Sequence, residues 1–271
     1  MIEFLLEPLR YDFMRIALYL AFSTCVVCAV LSCFLVLKSY SLLGDALSHS
    51  VMPGMIVAYS IGLPLGFGAF LSSIVCLWLI EFLKERSGLR NDATTAICFT
   101  GFFALGLLLY SKVESPLHIH EVLFGNLLGV SKSDMQTSVT VFGGVLVFTL
   151  LFFKRFFAIF FDEVNALLVG INPKFYYYLM LLLLSFVVVF GFSAVGIILV
   201  VAMLILPGAT AFLITSKFWL MQIISVSFAL LSSFFGVIVS FHSDTSTQAL
   251  IVLFQALFFI LSLIYFKFRA L

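Results

Sequence analysis

Residues 175–215 read FYYYLMLLLLSFVVVFGFSAVGIILVVAMLILPGATAFLIT, a run of 41 residues without a single charge. A helix needs only about 20 apolar residues to cross the hydrocarbon core of a bilayer. The run is therefore two spanning helices, roughly 175–191 and 195–215, joined at the turn-forming Gly191-Phe192-Ser193. The same reading extends outward. Further apolar stretches fall at roughly 13–37, 42–60, 65–83, 92–111, 134–153, 218–240 and 246–266, which predicts about nine spans, with eight or ten as the bounds. Charge marks two of the breaks, at Lys84-Glu85-Arg86 and Lys154-Arg155. Gly62-Leu63-Pro64 marks another.

Composition agrees. Of 271 residues, 63% are hydrophobic and 10% charged, against about 25% charged in a soluble domain. Mean hydropathy is +1.25. The expected fold class is all-α, a polytopic membrane helix bundle forming one domain over 1–271. A net charge of +1 excludes a basic field for nucleic acid. Cys25, Cys28, Cys33, Cys76 and Cys98 all lie in apolar runs and read as small hydrophobes. Met1 to Arg10 holds Glu3 and Glu7 and lacks the basic start of a cleavable signal. The amphipathic stretch 1–12 suits the membrane interface.

Basic residues set the orientation. With nine spans, one set of connections holds Lys38, Lys84, Arg86, Arg90, Lys154, Arg155, Lys174, Lys217, Lys267 and Arg269. The other holds Arg10, Arg15, Lys112 and Lys132. The richer set belongs in the cytoplasm, so the N-terminus is expected outside and the C-terminus inside. Two connections are longer than a hairpin needs: 112–133 outside and 154–174 inside. Both carry enough apolar residues to fold back on the membrane or meet a partner.

Asp45 and His49 are the residues with chemistry. They stand four apart near the start of the second span, on one helical face. An ionisable group within a membrane is costly and usually functional, and a carboxylate beside an imidazole suits a divalent transition metal. Pro53 gives the His49 carbonyl no backbone donor and kinks the helix. The alternative is a structural pair that locks two helices. His118, His120 and Glu121 (with Glu114) outside, together with His242 and Asp244, form a possible cation entrance or an ordinary solvated loop. Pro207-Gly208 makes a second kink, which suits packing. There is no phosphate loop, no G-x-S-x-G and no H-E-x-x-H, so an ATP-driven pump built from this chain must borrow its ATPase.

Five segments carry a resemblance: SYSLLGDALSHSVMPG (39–54), the region 92–109, LFGNLLGVS (123–131), FDEVNALLVGIN (161–172) and VGIILVVAMLILPGATA (195–211). Their order and content resemble the integral membrane subunits of bacterial ABC importers for manganese, zinc and iron, the ABC-3 family. The resemblance implies a permease, not an enzyme, in the bacterial plasma (inner) membrane, with a type II fold similar to vitamin B12 importers but one helix fewer at the N-terminus. It implies a homodimer, cytoplasmic ABC ATPase subunits that alone use ATP, and an extracytoplasmic metal-binding protein. No cofactor is bound permanently; Mn2+, Fe2+ or Zn2+ is cargo. It puts Asp45 and His49 at the metal contact, and Asp162, Glu163, Ala166 and Gly170 on a helix that docks the ATPase. The LHIHEVLFGNLLG and SFHSD stretches look closer to manganese and iron members. A stand-alone secondary carrier or channel is the alternative; such carriers often show internal repeats and several intramembrane charges, and this chain shows no repeat and one deep acid. A membrane metalloprotease would need ligands on further spans.

Overall fold

The computed structural model describes residues 7–38, 40, 42–112, 127 and 129–269. After a short 3-10 turn at Pro8–Arg10 come, among the described residues, eleven helices: α1 Asp12–Leu37, α2 Leu42–Ile61, α3 Leu65–Ser87, α4 Asn91–Lys112, α5 Lys132–Leu151, α6 Phe153–Phe161, α7 Glu163–Leu168, α8 Pro173–Val195, α9 Ile197–Ile214, α10 Phe218–Ser243 and α11 Thr247–Arg269. No strand occurs among the described residues. All nine expected spans form as long helices. Eight are long and apolar enough to cross a membrane by length and composition. The exception is α2, whose Asp45, His49, Pro53 and three serines lower its hydropathy.

The boundaries differ from expectation in three places. α3 runs on to Ser87, so Lys84 is helical and the chain turns at Gly88. Lys154 and Arg155 lie inside α6 rather than in a loop. Between α8 and α9 the break is one residue, Gly196, at φ 85 and ψ 161, a conformation essentially restricted to glycine. Gly191 stays helical. A Cβ there would meet Val200 Cγ2 at 2.7 Å, so it serves the packing of α8 on α9.

α1 is the central helix. Over its most apolar stretch 72% is buried, against 17% for α11. It packs against α9 and α10, while α2, α3 and α4 form a second group; α8 touches members of both. Side chains stitch α1 to its neighbours: Ser225 Oγ donates to the Ala29 carbonyl at 3.0 Å and Gln222 Nε2 to that of Val30 at 3.2 Å. Pro207 bends no break into α9. Beside it, Ser32 Oγ donates to the Ile205 carbonyl and accepts from the Gly208 N–H, which ties α1 to α9 next to this proline. At the foot of α1, Phe34 meets the rings of Phe153, Phe156, Phe160 and Phe218 at 5.0–6.2 Å. These contacts turn α6 back onto the bundle. The same end gathers the α1–α2 link, the C-terminus of α3 and the start of α8, and is called here the basic end. All five cysteines are buried and free.

The tightest crossing is α2 on α3. A Cβ on Gly54 would lie 2.1 Å from the Gly68 carbonyl oxygen, and the reverse distance is 2.2 Å. One turn away, Ser72 Oγ donates to the Ser50 carbonyl at 2.6 Å. Gly54→Ala is therefore expected to cost at least about 1–3 kcal/mol by overpacking, read as a lower Tm of the detergent-solubilised protein. Gly143→Ala, where a Cβ meets nothing within 4 Å, is the control and leaves Tm unchanged or raised. Equal behaviour of the two variants would disprove the tight crossing.

Candidate metal-binding and partner-docking site

α2 is one continuous helix from Leu42, so Asp45 sits in its first turn. At 1.5 Å rise per residue, Asp45 and His49 lie only about 5 and 10 Å along its axis. Asp45 is thus nearer the basic end than a deep intramembrane acid. The helix dipole there favours a carboxylate by about 0.3–1 kcal/mol. His49 Nε2 stands 3.5 Å from Asp45 Oδ1, with the side chains 23% and 38% exposed. Both belong to α2, so the pair by itself joins no second helix. The imidazole packs instead against two rings of α4, Phe99 at 4.9 Å and Phe103 at 5.0 Å. Those rings flank the imidazole while its Nε2 lies on the carboxylate side.

Among the described residues no group of three or more His, Cys, Asp and Glu is placed to hold a metal. One chain therefore offers two side-chain donors, whereas a bound transition-metal ion commonly takes four or more.

At the same basic end, α7 is short and largely exposed. Asp162 caps it, its Oδ1 accepting from the Asn165 N–H at 3.0 Å. Gly170, at φ 81, ends it, and the Ile171 N–H returns to the Ala166 carbonyl at 3.0 Å. Ala166 is buried against the bundle, and Glu163 meets Lys38 at 3.4 Å. These four residues build and seat the helix. What it presents outward is apolar: Val164, Leu167, Leu168 and Val169 are 63–78% exposed. Burying one such side chain is worth about 1.5–3 kcal/mol, and an exposed apolar patch suits contact with a protein or a membrane.

The other candidates are elsewhere. His118, His120 and Glu121 lie outside the described residues. His242 and Asp244 sit at the opposite end, separated from Asp45 by the length of α1, whose 26 residues span about 39 Å. His242 Nε2 is 3.8 Å from Glu7 Oε2 and Nδ1 is 3.0 Å from the Ile238 carbonyl. Asp244, at φ 48, terminates α10. Sequence reasoning missed one polar group altogether. Glu81, Lys84, Tyr40 and Tyr177 converge beside the start of α2; the only signal was Lys84, which read as a loop residue.

A bundle of long apolar helices, with a short helix at one end that exposes apolar side chains, is the architecture of a membrane permease. The chain belongs to the ABC 3 transport family, whose model matches residues 10–266. It is 44% identical to a probable iron transport system membrane protein of Haemophilus influenzae, over 99% of both chains. It is 37% identical to the manganese transport system membrane protein MntB of Synechocystis, over 97% of this chain and 86% of that one. Among solved structures, PsaBC from Streptococcus pneumoniae in complex with Fab is similar at a TM-score of 0.86 and 33% identity, covering 97% of this chain and 95% of that one. The permease fold expected from the resemblance is the fold found.

Asp162→Ala removes the α7 cap and is expected to destabilise that helix by about 1 kcal/mol. Amide hydrogen exchange at residues 163–169 should quicken while α1 stays protected. Unchanged exchange would mean that packing alone holds α7.

Proposed function

We propose that this chain is the transmembrane permease subunit of an ATP-driven importer of divalent transition-metal ions, with manganese and iron the favoured cargo. The observation that carries this reading is the Asp45–His49 pair at 3.5 Å on α2, whose hydropathy falls short of a membrane span. The names of the relatives support the choice of cargo: one is an iron and one a manganese transport protein. Oxygen and imidazole donors suit both ions, and zinc as well.

A second copy of the chain completes the site. Two donors from each of two chains make four, and the part-exposed side chains of Asp45 and His49 leave room for an ion between them. The ion is held briefly, because a site on a pathway must release what it binds. α7 docks a separate ATPase through Val164, Leu167, Leu168 and Val169. That assignment makes the basic end cytoplasmic, in accord with the excess of Lys and Arg in its connections, and puts the N-terminus outside. A metal-binding protein delivers the ion to the outer end. ATP turnover then opens the paired bundles alternately to each side.

Asp45→Ala and His49→Ala, each in the complex with its ATPase in liposomes, should lower manganese uptake at least about tenfold, as loss of metal-site groups generally does. Assembly with the ATPase should be unchanged. Parental uptake in both variants would sink the site. Leu168→Asp, on α7, should do the opposite: the ATPase no longer co-purifies, while the chain folds normally.

A further inference from the structure

The basic end holds a second polar cluster, which the ion itself has no need to touch. Its hub is Tyr40, in the link between α1 and α2. The Tyr40 N–H donates to the Leu35 carbonyl at 2.9 Å, and its carbonyl accepts from the Leu43 N–H at 3.1 Å. One residue thus ties the end of α1 to the start of α2, five positions before Asp45. Its hydroxyl accepts from Lys84 Nζ at 3.2 Å. Lys84 also donates to Glu81 at 3.3 Å, and Glu81 accepts from the Tyr177 hydroxyl of α8 at 3.1 Å. The ammonium stands 5.6 and 5.8 Å from the centres of the Tyr40 and Tyr177 rings, a favourable cation–π arrangement.

Both ends of α7 lead to this hub. Its first residue, Glu163, pairs with Lys38 at 3.4 Å, two residues before Tyr40. Its last turn runs through Gly170 into α8, where Tyr177 lies one turn inside. The contacts differ in strength. Lys38 and Glu163 are 28% and 60% exposed, and such surface pairs break and re-form easily. Lys84 and Glu81 are 30% and 15% exposed, and each has a second partner, Tyr40 and Tyr177, so the inner cluster is braced from three helices' ends. A loose outer contact with a firm inner cluster lets α7 shift without unfolding, while its shift is still felt at the root of α2.

We propose that Lys84 and Tyr40 are positioning residues that convert displacement of α7 into reorientation of α2, and hence of Asp45 and His49. The proposal rests on α7 being the ATPase dock. The test uses the full complex in liposomes, with manganese uptake and ATP hydrolysis measured on the same sample for the parent, Lys84→Met, Lys84→Arg and Tyr40→Phe. Lys84→Met and Tyr40→Phe should assemble and hydrolyse ATP within about twofold of the parent, while ions delivered per ATP fall at least about fivefold, the lower end of typical coupling between linked sites. Lys84→Arg, which keeps a cationic donor, should retain most of the coupling. Ions per ATP equal to the parent in Lys84→Met and Tyr40→Phe would overturn the relay alone. Parallel loss of assembly, hydrolysis and uptake in both would also overturn it, by assigning the cluster a purely structural role. A parent chain that assembles with no ATPase would overturn the functional reading, and the relay with it.

Discussion

Lipid offers a polar group no hydrogen-bond partner, and the rest of this structure follows from that constraint. Hydroxyls inside the spans satisfy themselves against their own helix. Thr24 donates to the Leu20 carbonyl, Ser48 to Gly44 and Ser185 to Leu181. Others cross to a neighbour and join helices, as Ser32 does to α9 and Ser72 to α2. Gln255 is an exception: fully buried, its amide finds no partner among the described residues, at a cost of about 1–3 kcal/mol.

Charge obeys the same constraint by retreating to the helix ends. At the basic end this brings together groups that are far apart in the chain: Lys38, Glu81, Lys84, Glu163 and Tyr177. Asp45 and His49 lie one to two turns inside that end, with their side chains part-exposed. Their position reconciles two demands. A charged site deep in the bundle would be costly to insert, and one in a loop would lack the two rings of α4 that fix the imidazole.

Packing decides how closely the helices approach. With little hydrophobic force between helices in lipid, small residues at crossings matter most. The Gly54–Gly68 contact brings α2 so near α3 that Ser72 reaches the Ser50 carbonyl. The polar helix is thereby held at mid-length by α3 and at its root by Tyr40. It is also the long helix whose hydropathy falls short of a membrane span among the described residues.

Much was legible in residue order. Apolar runs about 20 residues long marked all nine long helices, and the four-residue spacing of Asp45 and His49 put both on one face, because helix periodicity is local. The breaks drawn from charge at Lys84 and Lys154 were misplaced, since a long cationic side chain extends from the end of a helix as readily as from a loop. The turn at Gly196 was set a few residues early, because a positive φ leaves no mark in an apolar run. Tertiary structure alone decided that His49 rests on Phe99 and Phe103, that α6 folds onto Phe34 while α7 stays exposed, and that Lys84 closes on Tyr40. Each of these joins residues from different helices, and hydropathy says how long a helix is but not which neighbour its faces meet.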